Sequence, residues 1–232
     1  MSSSYPKGNF GGNQLLDGSI RLMQEYHERI LTAPRVARAA LRNAVILASG
    51  FYGIRRSAEL FCDASRSMGL LGKDVTIIPG QRIDFFIRSM KNDTYASGHT
   101  ISLSWVTSLG VELGVLFTTY LSQLRADGIS LDSPFFTPTS AAGMFLPVAA
   151  GKTSRLNHIV NQLLTQYFPH LTKVQLADFS FHSLRRGGAT WARSRGVPLG
   201  LILAQGLWNT VDGARSYLVP SLEEQTLTTS LM

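Results

Sequence analysis

A few residues stand at intervals suited to phosphate chemistry. His182 and Arg185 are three apart, so on a helix they share a face. Arg56 and Glu59 have the same spacing far upstream. A guanidinium is a planar fork that can grip two oxygens of a phosphate. Attack on a phosphodiester builds extra negative charge on its non-bridging oxygens, and two guanidiniums, Arg56 and Arg185, can meet that charge without a bound metal. Trp208 can donate only through its indole N–H. Tyr217 carries a phenol of pKa about 10, a weak nucleophile until its proton is removed or its anion stabilised.

Singly, each residue has an ordinary structural reading. Tyr217 reads as an amphipathic packing residue, Trp208 as a core aromatic and His182 as a satisfied structural histidine. Arg56 and Glu59 read as a helix ion pair, for which Arg55 competes. Lys91 reads as an exposed turn lysine, and Arg186, Arg193, Arg195, Lys152 and Arg155 as solvated charge or contacts to a phosphate backbone.

The elements that must position these groups follow from periodicity. Residues 1–14, rich in Ser, Gly and Asn, read as a flexible arm. Apolar spacing predicts helices over 15–31, 36–50 and 54–68, with Pro34 in a first turn. Alternation then predicts short strands at 74–78, 82–89 and 99–105, separated by Pro79-Gly80 and by a polar turn at 91–98. Helix returns over 106–126, and a loop with Pro134, Pro138, Gly143 and Pro147 follows. Helices are expected at 153–168 and 180–194. A break at Gly196-Val197-Pro198 precedes a short helix from 199, and 208–219 reads as a turn and then a helix. The expected fold is mainly α with a small three-stranded antiparallel sheet.

The chain has 232 residues, 44% of them hydrophobic, which is enough to bury a substantial core. Its formal charge is +7, and 17 of its 22 basic residues are arginine. Between 133 and 211 Asp178 is the lone acid against seven basic residues, so this stretch carries +6 of the +7. That balance leans toward a polyanionic partner. The single cysteine, Cys62, excludes a disulfide framework and a multi-cysteine zinc site, and points to an intracellular protein. No apolar run is long enough to span a membrane. Gly151-Lys152-Thr153-Ser154 looks like the end of a P-loop, but Leu146 stands where that loop needs glycine. The histidines at 27, 99, 158, 170 and 182 have no metal-ligand spacing, and neither H-E-x-x-H nor G-x-S-x-G occurs. No metal or other cofactor is expected.

Residues 181–218, FHSLRRGGATWARSRGVPLGLILAQGLWNTVDGARSYL, resemble the C-terminal signature of the tyrosine recombinase (phage integrase) family. His182 and Arg185 supply its H-x-x-R. Gly206-Leu207-Trp208 supplies the Gly-(His/Trp) turn, Cre-like in carrying tryptophan, and Tyr217 follows Trp208 by nine residues. Upstream, Tyr52-Gly53-Ile54-Arg55-Arg56-Ser57-Ala58-Glu59-Leu60 resembles the family's first arginine motif, R-x-x-E with an apolar residue after it. Lys91 matches the lysine of the family's second hairpin. Six positions in one order make a specific pattern, spread over 41–219.

The resemblance implies the DNA breaking-rejoining catalytic fold and a site-specific recombinase or integrase. By it, Tyr217 attacks to form a 3′-phosphotyrosyl link, and Arg56 and Arg185 hold the phosphate. His182 and Trp208 assist, Lys91 is the candidate acid for the leaving 5′ oxygen, and Glu59 orients an arginine or the histidine. The partner implied is double-stranded DNA, bound by a homotetramer, without membrane, metal or ATP. The catalytic domain is expected over 41–232. Residues 1–40 offer an arm and part of a helical segment in place of the helical module that closes a clamp around DNA in the family. Two other readings stay open: a noncatalytic DNA-binding derivative of the fold, and a type IB topoisomerase-like enzyme.

Overall fold

In the computed structural model the described residues are 31–62, 69–88, 98–149, 153–167 and 169–215, together with Gln24, Tyr26, Glu28 and Arg29. Those last four residues are helical within the predicted 15–31 helix, and Tyr26 is buried. The arm predicted at 1–14 lies outside the described residues.

The centre of the molecule is α1, Pro34–Phe51. Proline opens it, where its missing N–H is no loss. From Ala37 to Phe51 nearly every side chain is buried, as expected of a helix apolar on most of its circumference. Its main partner is α6, Phe181–Ser194, and two glycines let the pair approach closely. A Cβ on Gly188 of α6 would lie 2.1 Å from the Phe51 carbonyl oxygen, and one on Gly50 would lie 2.9 Å from both Leu184 and Phe181.

The predicted sheet is present as β1 (Val75–Ile78), β2 (Arg82–Ile87) and β3 (His99–Ser104), antiparallel in the order β1-β2-β3. Ile83 pairs with Leu103 and Phe85 with Ile101, and all four bury one face of the sheet. α3, Leu113–Ala126, packs on that face, where Phe117 meets Phe85. The following loop is anchored by Phe135, Phe136 and Phe145 around Tyr120, whose hydroxyl donates to the Phe135 carbonyl at 2.9 Å. α4 (Thr153–Tyr167), the short α5 (Lys173–Ala177), α7 (Leu199–Gly206) and α8 (Val211–Arg215) complete the fold. A small second apolar cluster, Ile54, Ala189, Ile202, Trp208 and Ala214, joins the end of α1 to α6, α7 and α8.

Two predicted helices are corrected. The one expected over 54–68 is a four-residue helix, α2 (Ser57–Leu60), within the described part of that range. Ile54 adopts a left-handed conformation (φ 55°), and Arg56 and Phe61 on either side of α2 are extended. Drawing Arg55 and Glu59 inward overrides the helical period of the sequence. The helix expected from 106 starts at Leu113 instead. Residues 107–111 form a turn closed by Thr107 and Val111, and Gly110 takes a positive φ of 79°. α5 was not anticipated; it is one turn capped by Thr172, whose hydroxyl accepts from the Gln175 N–H.

Candidate active site

The site forms where α1 ends, around the carboxylate of Glu59. Glu59 is the third residue of α2, and its side chain reaches back to accept from the Arg56 N–H at 3.0 Å. That bond fixes the carboxylate against three guanidiniums. Arg56 Nη1 lies 3.0 Å from one oxygen, and Arg55 Nη1 lies 3.4 Å from the other. Arg185 Nη1 stands 4.0 Å from that second oxygen. Glu59, Arg55 and Arg185 are buried, while the Arg56 side chain is 32% exposed.

α6 delivers Arg185. Its start is pinned by the Phe181 N–H donating to Asn157 of α4 at 2.9 Å, and by the Ser183 hydroxyl accepting from the Ser180 N–H. From there Arg185 donates to the carbonyls of Ile54 (2.7 Å) and Gly206 (2.9 Å). The left-handed turn at Ile54 therefore serves the site by aiming its carbonyl at Arg185. Above the guanidinium lies the Trp208 ring, 4.0 Å from Cζ to centroid, a desolvated cation–π contact. Gly206 makes room for that ring, since a Cβ there would fall 1.9 Å from it. Arg55 is held in the same way: its Nε donates to the Gly53 carbonyl at 2.7 Å, and Nη2 donates to the Gln205 carbonyl.

The electrostatics show a surplus of positive charge. Three guanidiniums share one carboxylate in a largely water-excluded place. Burial, only partly offset by Glu59 and reinforced by Arg56, pushes Arg55 down to about 10. His182 forms part of the exposed rim, one turn before Arg185. Its imidazole is lowered by partial burial first, then by Arg185, Arg186 and Arg56. At neutral pH it is an uncharged donor and acceptor. Such a cluster disfavours further cations and favours an anion.

The structure thus brings together Arg56, Glu59, His182, Arg185 and Trp208. Arg55, which the R-x-x-E spacing passes over, is placed there too. Its signal in the sequence is the four-residue interval to Glu59, which also suits a helical ion pair. Tyr217 follows the end of α8 by two residues and lies outside the described residues, as do Lys91 and Lys152. Arg155 occupies the first turn of α4, with its side chain undescribed. Arg186 is half-buried beside the site, and Arg193 and Arg195 are exposed at the far end of α6, Arg195 above the Trp191 ring. Among the described residues no cluster of His, Cys, Asp and Glu side chains is placed to hold a metal ion, and no helix is long and apolar enough to cross a membrane.

No protein-family model matches the sequence, and a comparison with curated proteins finds no match. Solved structures do resemble it in fold. The XerH site-specific recombinase, in a post-cleavage complex with palindromic difH substrate, superposes with a TM-score of 0.63 at 15% identity, covering 99% of this chain and 54% of its own. XerA recombinase gives 0.58 at 15% identity, covering 96% and 64%. The Tn1549 transposon integrase (residues 82–397), bound to circular intermediate DNA, gives 0.54 at 12% identity, covering 98% and 66%. The chain spans just over half the length of the XerH recombinase it matches. The mainly helical architecture with its three-stranded antiparallel sheet is that of tyrosine recombinase catalytic domains.

Proposed function

We propose that this chain is a tyrosine-type DNA strand transferase, a site-specific recombinase or integrase acting through a 3′-phosphotyrosyl intermediate. The observation that carries the reading is the cluster of Arg55, Arg56 and Arg185 around the buried carboxylate of Glu59, with His182 on its exposed rim. A cluster with surplus guanidinium is completed by an anion, and a phosphodiester supplies one with the right geometry. Arg56 and His182 stand where a phosphate meets the site from solvent. Arg185 and Arg55 add positive potential from behind.

In the reaction, Tyr217 gives up its phenolic proton to solvent as its oxygen bonds to phosphorus and the P–O5′ bond breaks, and the leaving 5′ oxygen takes up a proton, for which Lys91 is the candidate donor. The phosphotyrosyl ester stores the bond energy, so attack by a 5′ hydroxyl reseals the strand without ATP. Trp208 holds Arg185 in place through its ring. Arg186, Arg193, Arg195, Lys152 and Arg155 contact the duplex backbone, and a homotetramer brings two duplexes together in a DNA-associated, intracellular setting.

The test is covalent trapping. A pool of random-sequence duplexes with 5′-bridging phosphorothiolates releases a thiol that reseals poorly, so a strand transferase accumulates as a DNA adduct. The full chain is expected to form it, and Tyr217→Phe to form none. Salt-dependent DNA binding with no adduct would move the assignment to a noncatalytic derivative. Relaxation of supercoiled DNA by the monomer would move it to a topoisomerase-like activity.

A further inference from the structure

The two buried arginines of the site, Arg55 and Arg185, are held by consecutive carbonyls at the end of α7. The Gln205 carbonyl accepts from Arg55, and the Gly206 carbonyl accepts from Arg185 at 2.9 Å. Carbonyls of a last helical turn have no intrahelical partner and carry the negative end of the helix dipole, so guanidiniums suit them as caps. Where α7 ends therefore sets where the two arginines lie.

α7 has only eight residues, of which Ile202 and Gly206 are buried and Leu201 is 62% exposed. Packing alone gives such an element a limited hold. The side chain of Gln205 adds two fixed points. Its amide Nε2 donates to the Tyr52 carbonyl, just beyond α1, and to the Ser102 carbonyl in β3, each at 3.2 Å. Both of its N–H donors are engaged. One side chain thus ties α7 to α1 and β3 at the residue whose own carbonyl grips Arg55.

We infer that Gln205 is a positioning residue for the two arginines behind the phosphate site, registering the end of α7 so that Arg55 and Arg185 direct their positive charge at the reacting phosphate. The inference rests on the strand-transfer reading for its chemical consequence, and on the hydrogen bonds alone for its structural one. Gln205 acts through Arg55 and Arg185 and has no direct role in bond making.

Two variants test it. Gln205→Met keeps the side-chain length without donors. Gln205→Glu keeps the shape and sets a carboxylate oxygen against two carbonyls. In the full chain, trapping on the phosphorothiolate pool is measured across DNA concentrations, beside thermal unfolding and the Nε–Hε resonances of Arg55 and Arg185 in 15N-arginine-labelled protein. Both variants are expected to trap about 10- to 100-fold more slowly at saturating DNA, with half-saturation unchanged to within about twofold. The two arginine resonances should shift, while the remaining arginine signals stay in place. Trapping at the unsubstituted rate overturns the inference, and so does a parallel fall of rate, affinity and melting temperature. If the unsubstituted chain itself forms no adduct, the strand-transfer reading fails and the resonances decide. Unmoved Arg55 and Arg185 signals then overturn the positioning role, and shifted ones uphold it.

Discussion

At the scale of single residues, Glu59 is the group on which the site's stability turns. Its carboxylate is the counter-ion that Arg55 and Arg185 share in the interior, and that Arg56 reaches from a partly solvated position. Removing one partner of a buried ion cluster leaves uncompensated charge, so Glu59→Gln should destabilise the fold by about 3 kcal/mol, with Arg56 contributing little of that because water screens it. Without the carboxylate's negative charge, the three guanidiniums also attract an anion more strongly. Sulfate should therefore stabilise Glu59→Gln more than it stabilises the unsubstituted chain, compared with chloride at equal ionic strength in urea denaturation. Equal effects on both would show that the cluster does not attract anions. His182 gives a second reading of the same field. Its folded pKa lies below the ordinary imidazole value of about 6.5, through partial burial and then the three arginines. The unfolded chain thus takes up the proton first. Stability from this group is whole above the unfolded value and is lost as pH falls through the folded one. An NMR titration of the His182 ring should show the lowered value in the free protein and an upward shift once duplex DNA is bound. A free-protein value at or above the ordinary one would contradict the field described.

At the scale of elements, α1 and α6 form the frame that sets the distance between the two halves of the site. Gly188 touches the backbone of Phe51, just before the turn that carries Arg55, and lies one turn beyond Arg185. Gly188→Ala must push the helices apart, and overpacking of this kind costs about 1–3 kcal/mol. Because the displacement separates Arg55 from Arg185, DNA trapping should fall as well. Gly200 in α7 is the control: it is helical with nothing near a Cβ, so Gly200→Ala should be neutral or stabilising by up to about 1 kcal/mol. Paired thermal melts that ranked the two substitutions the other way would refute the packing account. Much of this frame was legible in the sequence. The helix expected at 180–194 is Phe181–Ser194, and alternation located all three strands, because burial period decided those elements. It was not legible at 54–68. There the apolar period continues, but the burial of Arg55 and Glu59 and the reversed φ at Ile54 are tertiary effects. The same limit explains why spacing pointed to Arg56 and left Arg55 as a competitor: two neighbouring arginines both reach Glu59, and their burial becomes visible only when α7 closes over one of them.

At the scale of the whole molecule, part of the charge asymmetry lies along α6. Residues 133–211 carry +6 of the +7, and within them α6 runs from His182 and Arg185 at the site to Arg193 and Arg195 at its exposed end. Those last two arginines have two physical uses. Cations at a helix C-terminus stabilise the helix through its dipole, by roughly 0.3–1 kcal/mol when exposed. Cations on a nucleic-acid face release counter-ions from the duplex, and each phosphate contact steepens the fall of log affinity with log salt by roughly 0.9. The two uses separate experimentally. Arg193→Gln and Arg195→Gln are each expected to lower the salt slope of binding to random-sequence duplex by about one, and to weaken binding to all sequences alike. Their melting temperatures should fall only by the small amount the dipole accounts for. Substitutions that lowered stability but left the salt slope unchanged would confine these arginines to capping α6, and would place the duplex on another face of the molecule.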